Sequence, residues 1–99
     1  KHAVIGLMKT AALEMAPMNI RVNTVNPAPV NTRMMRSLEE GFQPDDPGQV
    51  KEMMSAMVPL RRYAEPIEIA KIMLFLASEE SSYCSGGVYM VDGGMTART

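Results

Sequence analysis

The chain has 99 residues, of which 46% are hydrophobic and 21% charged, and its ten basic side chains are balanced by eleven acidic ones. This length allows at most one modest domain, and the balanced charge without a basic cluster argues against a nucleic-acid-binding protein. The single cysteine, Cys84, excludes an internal disulfide, and no apolar run approaches the ~20 residues of a membrane span. We therefore expect an intracellular, cytoplasmic protein without nucleic-acid or membrane partners.

The first predicted element is a helix at the start of the sequence. Four apolar residues recur at the spacing of one helix face: Ile5, Met8, Ala12 and Met15. Pro17 ends the helix, but no Ser, Thr, Asp or Asn precedes it as an N-cap. We therefore interpret Lys1 as an interior position of a longer chain.

Two short apolar segments are predicted to be strands. The first, NIRVNTVN, contains Ile20, Val22 and Val25 without strict alternation, and the second is Val88–Val91, which is followed by Asp92 and two glycines. Apolar runs without alternation are typical of strands that are buried on both faces of a parallel sheet. The glycine pairs of the C-terminal region lack G-x-G-x-x-G spacing and are interpreted as turns.

The connection between these strands is predicted to be helical. Ser37–Gly41 continues a turn that begins around Met34, and a second helix covers Asp46–Met57. A third helix begins at Pro66, whose fixed φ suits a first turn, and ends near Ser78. A strand, a helical crossover and a second strand are typical of an α/β fold with a parallel sheet.

Several side chains of this connection can be assigned to surface or core. The third helix carries an apolar stripe of Ile69, Met73 and Leu76. The acidic residues of the connection are interpreted as a solvated face: Glu39, Glu40, Asp45 and Asp46. Arg61 and Arg62 are expected to form surface ion pairs with Glu65 and Glu68, each contributing ~0–1 kcal/mol.

Two strands do not form a stable parallel sheet by themselves. Strands that are buried on both faces need neighbouring strands and a layer of helices on each side. Ninety-nine residues cannot supply these layers. The pattern therefore predicts the C-terminal part of a larger α/β domain.

Three segments, in this order and spacing, resemble the C-terminal part of the classical short-chain dehydrogenase/reductases. KHAVIGLMKTAALE resembles the helix that begins at the lysine of the family's Tyr-x-x-x-Lys motif. IRVNTVNPAPVNT resembles the sixth strand and the cofactor-contacting turn, and PLRRYAEPIEIAKIMLFLASEESSYCSGGVYMVDGG resembles the last helix and the seventh strand. The resemblance implies a Rossmann-like, doubly wound parallel sheet. Residues 1–99 would form its C-terminal part, with residues 33–60 as the variable substrate-binding loop.

The turn after the first strand is the candidate cofactor site. Ligands of open α/β sheets bind beyond the carboxyl ends of the strands, and Pro27 and Pro29 stiffen the chain there. The resemblance implies that this turn, including Pro27 and Ala28, contacts the nicotinamide of NAD or NADP. It also implies that the Val30 backbone binds the carboxamide and that the Thr32 hydroxyl bonds the carboxamide or the diphosphate. The family usually has glycine where Ala28 stands, so alanine fits only if its φ is negative.

Lys1 is the candidate catalytic residue. The resemblance implies that Lys1 bonds the nicotinamide ribose hydroxyls and lowers the pKa of a catalytic tyrosine, since a nearby cation favours a phenolate whose ordinary pKa is ~10. By the same resemblance, that tyrosine, the catalytic serine and the glycine-rich turn would all precede Lys1. None of the chain's own tyrosines is followed by lysine at the fourth position: Tyr63, Tyr83 and Tyr89. We expect the 99 residues alone to be inactive and to hold no metal.

Two functions of different class follow from these observations. The first is part of an NAD(P)-dependent oxidoreductase that interconverts a small-molecule alcohol and a ketone by hydride transfer, as a homodimer or homotetramer. The second is a non-catalytic assembly module from a truncated gene of the same family. Five methionines of the substrate-loop region either line an adaptable apolar pocket or pack as an amphipathic lid on the core: Met34, Met35, Met53, Met54 and Met57.

Overall fold

The computed structural model describes residues 2–97, so Lys1 lies outside the described residues. The helices and strands are, in chain order, α1 (His2–Met15), β1 (Thr24–Pro27), α2 (Arg33–Phe42), α3 (Pro47–Met57), α4 (Pro66–Ala77) and β2 (Val88–Val91). Single-turn 3₁₀ helices cover Ala16–Met18 and Glu79–Ser81. Within residues 2–97, no helix has the length and apolar character needed to cross a membrane.

β1 and β2 pair in a two-stranded sheet. The Thr24 N–H donates to the Gly87 carbonyl at 3.1 Å, and further along the Ala28 N–H donates to the Val91 carbonyl at 3.2 Å. The bonded residues advance in the same direction on both strands, as they do in a parallel pair. The predicted α/β fold with parallel strands is therefore confirmed.

β1 is shorter than the predicted strand, whereas β2 has its predicted bounds. The apolar run begins near Ile20, but Asn19 has a φ of 59° and ends the preceding 3₁₀ helix. The Val22 N–H then bonds the Ser85 hydroxyl at 3.2 Å rather than a strand carbonyl. No residue of β1 or β2 is fully buried, because each described strand has only one strand neighbour.

The described residues form two compact units. The first consists of the residues up to Asn26 together with Ala70–Met90. The second consists of Pro27–Ile69 together with the described residues from Val91 onward. The candidate cofactor turn and the predicted substrate loop therefore belong to the second unit.

In the first unit, α1 buries Met8 and Ala12, as its apolar spacing predicts. Arg21 connects the segment before β1 to the loop that leads into β2. Its guanidinium donates to the Ser81 hydroxyl at 2.8 Å and to the Cys84 carbonyl at 3.2 Å. Cys84 is half-buried.

In the second unit, α2 and α3 pack against each other. Each helix begins at a side-chain cap. Thr32 Oγ1 accepts from the Met35 N–H at 3.3 Å, and Asp46 Oδ1 accepts from the Gln49 N–H at 3.2 Å. Caps of this kind satisfy backbone donors that have no partner inside the helix. The buried apolar residues of this unit are Met35, Val50, Val58 and Tyr63.

A tight turn follows β2 in the same unit. Asp92 Oδ1 accepts from the Gly94 N–H at 3.0 Å, and Asp92 Oδ2 accepts from the Thr96 hydroxyl at 2.6 Å. Gly93 has a φ of 62°, and a Cβ placed there would lie 2.6 Å from Val58 Cγ1. Position 93 therefore requires glycine for both its conformation and its close packing.

The bounds of α4 agree with the sequence, but its inward face differs from the predicted stripe. Met73 is 56% exposed, whereas Ile69, Ile72 and Leu76 are half-buried. Nearly every residue of this helix is apolar, so the 3.6-residue period allows several alternative stripes. Only packing determines which of them faces inward.

Candidate functional site

The turn that follows β1 tolerates alanine at position 28. Among the described non-glycine residues, only Asn19 and Arg61 have positive φ. Ala28 therefore does not need the conformation that favours glycine. Its N–H is used to extend the pairing with Val91. The departure from the family's usual glycine is thus compatible with this turn.

Val30 forms an isolated parallel bridge with Ala64. The Ala64 N–H donates to the Pro29 carbonyl at 3.0 Å, and the Asn31 N–H donates to the Ala64 carbonyl at 2.8 Å. Successive backbone groups of an extended segment point to alternate sides, so the N–H and C=O of Val30 point away from Ala64. Within residues 2–97, neither group makes a hydrogen bond. Within this part of the chain, Val30 thus presents one free donor and one free acceptor, and the hydrogen bonds of its two neighbours, Pro29 and Asn31, hold both groups in place.

Thr32 is the N-cap of α2 and has an extended backbone, with φ −132° and ψ 169°. Its Oγ1 accepts a hydrogen bond from the Met35 N–H. A hydroxyl can accept and donate at once, and the Thr32 O–H donates to no atom of the described residues. The helix N-terminus also favours a nearby negative charge. Thr32 therefore offers a hydroxyl donor at a position suited to an anionic or carbonyl ligand.

A buried carboxylate lies behind this turn, and the sequence pattern did not predict it. Glu39, assigned above to a solvated face, is only 3% exposed. Arg36 Nε and Nη2 donate to its two oxygens at 2.8 and 2.9 Å, and Tyr63 Oη donates to Oε2 at 2.6 Å. The solvated-face assignment is therefore wrong for Glu39, because these three donors compensate the burial of its charge.

The contacts of Glu39 also set the protonation of the cluster. The bidentate hydrogen bonds from Arg36 hold the pKa of Glu39 below its ordinary value of 4.5. Burial, together with the hydrogen bond to Glu39, raises the pKa of Tyr63 to about 12. Tyr63 is therefore a fixed donor at neutral pH and is not suited to exchanging protons with a substrate.

Arg36 connects this buried cluster to the turn. Its Nη1 donates to Asn31 Oδ1 at 2.6 Å, and Asn31 is the residue between Val30 and Thr32. The three-residue spacing of Arg36 and Glu39 was the available sequence signal, since such pairs are neighbours on a helix. The contact to Asn31 could not be read from spacing.

The side of α2 next to the buried one is apolar and exposed. Met34 is 71% exposed, Leu38 45% and Phe42 75%. These residues recur every four positions and so lie along one side of the helix, whereas the buried residues of α2 are Met35 and Glu39. Of the other methionines considered above, Met54 is half-buried, and Met53 and Met57 are exposed. Within this unit, the five methionines thus differ in burial and do not share one environment.

The remaining predicted site features lie outside this unit or outside the described residues. Lys1 belongs to the latter group, so its proposed contacts stay a prediction. His2 is exposed at the start of α1. Among residues 2–97, no group of His, Cys, Asp and Glu side chains is arranged to hold a metal ion.

Comparisons with known proteins agree on one family. The family model described as Enoyl-(Acyl carrier protein) reductase matches residues 1–96. The oxidoreductase UcpA of Salmonella typhimurium is 45% identical over 96 residues, which are 97% of this chain and 36% of that protein. A solved structure of a short chain dehydrogenase family protein from Francisella tularensis matches with a TM-score of 0.95 at 36% identity, covering 99% of this chain and 42% of that one.

The L-sorbose reductase of Gluconobacter frateurii, solved in complex with NADPH and L-sorbose, matches with a TM-score of 0.92 at 32% identity. The match covers 99% of this chain and 39% of that one. The chain thus spans little more than a third of these relatives, and the predicted resemblance to one part of a short-chain dehydrogenase/reductase is confirmed. The chain belongs to the short-chain dehydrogenase/reductase family.

Proposed function

We propose that the protein containing this chain is an NAD(P)-dependent oxidoreductase that interconverts an alcohol and a ketone. Three polar groups that are unengaged among residues 2–97 carry the proposal: the Val30 N–H, the Val30 C=O and the Thr32 O–H, all within one compact unit and shortly after β1. A nicotinamide cofactor, when bound, supplies or accepts the hydride. The residues of this chain bind and orient it.

Val30 and Thr32 have complementary roles in this proposal. A carboxamide carries both a donor and an acceptor, which are the partners required by the Val30 C=O and N–H. The Thr32 hydroxyl donates to a carboxamide or diphosphate oxygen while it still caps α2. The bonds of Pro29 and Asn31 to Ala64 fix the Val30 groups before the cofactor arrives. A fixed site loses less conformational entropy on binding.

Pro27, Ala28 and Lys1 complete the proposed site. Pro27 and Ala28 form the stiff start of the turn, and the Ala28 N–H is anchored to Val91. Lys1 would bond the ribose hydroxyls and lower the pKa of the family's catalytic tyrosine, as the resemblance implies. Residues 33–60 would be the substrate-binding part of the domain.

Removing the Thr32 hydroxyl tests the cofactor site. In the full-length protein, we expect Thr32→Val to weaken NADH or NADPH binding about tenfold, the effect of losing one hydrogen bond worth ~1.4 kcal/mol. Thr32→Ser keeps the hydroxyl and should bind within about threefold of the wild type. Dissociation constants from nicotinamide fluorescence titrations give the comparison.

A cap lost from the neighbouring helix is the matched control. Asp46→Ala removes the cap of α3 and should lower the free energy of unfolding by ~1 kcal/mol, without changing cofactor affinity. If Thr32→Val binds the cofactor as tightly as the wild type, Thr32 is only a helix cap. If the wild type binds neither NAD(H) nor NADP(H), the proposed function is wrong.

The exposed side of α2 favours a substrate with an apolar body. Met34, Leu38 and Phe42 extend over about 12 Å of helix, starting two residues beyond Thr32. Apolar side chains on the outward face are not needed to hold α2 in its unit, because Met35 and Glu39 occupy the inward face. A substrate group lying along this row would bury apolar surface.

A series of 2-alkanols from propan-2-ol to octan-2-ol tests this substrate class. We expect kcat/KM to rise with each methylene, by up to about fourfold, because burying one CH₂ contributes ~0.8 kcal/mol. In the double variant Met34→Gln/Phe42→Ser the rise should become smaller, while propan-2-ol is turned over as before. Glu52→Gln, at an exposed position of α3, is the surface control. An equal slope in the wild type and the double variant would exclude contact between this face and the substrate.

A further inference from the structure

We propose that Arg36 is a positioning residue for the cofactor turn, acting on the nicotinamide-binding groups through Asn31. This inference rests on the proposed function of Val30 and Thr32. Arg36 itself need not touch the cofactor. Its guanidinium bonds Asn31 on one side and Glu39 on the other, all within the second unit.

The contacts form a closed ring that begins and ends at Asn31. Asn31 bonds Arg36, Arg36 bonds Glu39, and Glu39 accepts from Tyr63. Tyr63 is covalently joined to Ala64, whose carbonyl accepts from the Asn31 N–H at 2.8 Å. Asn31 is thus linked to the Tyr63–Ala64 segment twice, once through the side chains of Arg36 and Glu39 and once through a backbone hydrogen bond.

Such a ring restricts the rotation of the turn more than either link alone. The backbone bridge at Ala64 fixes the position of Asn31, and the only other hydrogen bond of its side chain among residues 2–97 is the long amide bond to the two Glu65 oxygens, at 3.3 and 3.4 Å. The Arg36 bond, at 2.6 Å, fixes that side chain relative to α2. Thr32 is the cap of α2, and Val30 lies two residues before it. The Arg36 to Asn31 bond therefore orients the Thr32 hydroxyl and the Val30 backbone relative to α2, in addition to the orientation given by the bridge to Ala64.

The buried end of the ring is well anchored. Glu39 is 3% exposed and Tyr63 4%, whereas the Arg36 side chain is 39% exposed. The guanidinium therefore joins the buried pair of Glu39 and Tyr63 to the half-buried Asn31. Its planar fork bonds both Glu39 oxygens and still directs Nη1 at Asn31, which a lysine ammonium cannot do with the same geometry.

Loss of the Arg36 to Asn31 contact should affect the nicotinamide end of the cofactor selectively. In the full-length protein, we expect Arg36→Lys to weaken NAD(P)H binding about three- to tenfold. Binding of ADP-ribose or its 2′-phosphate analogue, which lack the nicotinamide ring, should change less than twofold. A role limited to stability would shift both ligands equally or neither.

Asn31→Ala removes the other half of the same contact, together with the long amide bonds of Asn31 to Glu65 at 3.3 and 3.4 Å, without disturbing the buried ion pair. It should reproduce the selective loss. The double variant Asn31→Ala/Arg36→Lys should bind no more weakly than the weaker single variant, because the Arg36 to Asn31 bond is the one interaction that both changes remove. Arg62→Lys is the matched control. Arg62 forms a similar forked pair with Glu68, at 2.7 and 2.9 Å, and makes no contact with Asn31.

The outcomes separate this inference from the proposed function. If Thr32→Val weakens NAD(P)H binding but Arg36→Lys and Asn31→Ala do not, the cofactor site stands and the positioning role is wrong. The role is also wrong if the single effects add fully in the double variant, or if ADP-ribose binding falls in parallel. If the wild type binds no nicotinamide cofactor, both proposals fail together.

Discussion

Replacing Gly93 by alanine is expected to lower the free energy of unfolding of the full-length protein by about 2–4 kcal/mol. The residue has a φ of 62°, a region that costs an L-amino acid ~1 kcal/mol or more. The added Cβ would lie 2.6 Å from Val58 Cγ1, and Val58 is only 2% exposed, so it has little room to move. Overpacking of this kind costs a further ~1–3 kcal/mol. Urea unfolding curves of both proteins measure the difference.

Gly41→Ala is the control for this change. Gly41 lies in α2, and a Cβ placed there meets no atom of the described residues within 4 Å. Alanine should therefore stabilise the helix by up to ~1 kcal/mol. A Gly93→Ala protein as stable as the wild type would mean that the turn after β2 rearranges without cost, despite the close approach of Gly93 to Val58.

Tyr63→Phe is expected to lower the free energy of unfolding by about 1.5–3 kcal/mol at neutral pH. The change preserves the aromatic ring but removes the donor that lies 2.6 Å from Glu39 Oε2. A hydrogen bond to a charged, buried acceptor has this magnitude, and after the change Glu39 Oε2 retains only its bond from Arg36 Nη2. Tyr83→Phe, at a fully exposed tyrosine, should change the free energy by less than ~0.5 kcal/mol.

The effect of Tyr63→Phe should depend on pH on both sides of neutrality. The pKa of Glu39 is lowered in the folded state, so stability from its ionised contacts is present above its ordinary pKa of 4.5 and is lost as pH falls through the folded value. The pKa of Tyr63 is raised from 10.0 to about 12, so stability from its protonated hydroxyl is present below pH 10 and is lost as pH rises to about 12.

The difference between wild type and variant should therefore be largest between about pH 5 and 10 and smaller at either end. Urea unfolding from about pH 3 to about pH 11 measures it. A difference that stays constant from pH 3 to pH 8 would mean that Tyr63 does not bond the ionised carboxylate of Glu39.

Elements whose limits depend on local chemistry were predictable. Pro66 begins α4 because its fixed φ suits a first helical turn, and Asp46 immediately precedes α3 because its side chain caps the helix. β2 has the predicted bounds because glycines with positive φ lie beyond its end. The resemblance of three segments to one family was confirmed over residues 1–96.

Features that depend on a distant partner were not predictable. The sequence favours a strand from Ile20, yet β1 starts at Thr24. Asn19 has a positive φ, and the Val22 N–H bonds the Ser85 hydroxyl instead of a strand carbonyl. Met73 is exposed although it fits a helical stripe, since an almost wholly apolar helix does not specify its inward face.

The candidate site divides in the same way. The sequence by itself determined the stiff turn with Pro27 and Pro29, because proline φ angles act over a few residues. The helix predicted after it, from a turn around Met34 into Ser37–Gly41, begins earlier in the structure, at Arg33 with Thr32 as its cap. Only the tertiary structure decided that Glu39 is buried and that Arg36 connects it to Asn31. A carboxylate on a helix is ordinarily solvated, and it is buried here because Tyr63, 24 residues away in the chain, supplies a donor. Burial of a charge depends on partners brought together by folding, and residue spacing alone does not identify them.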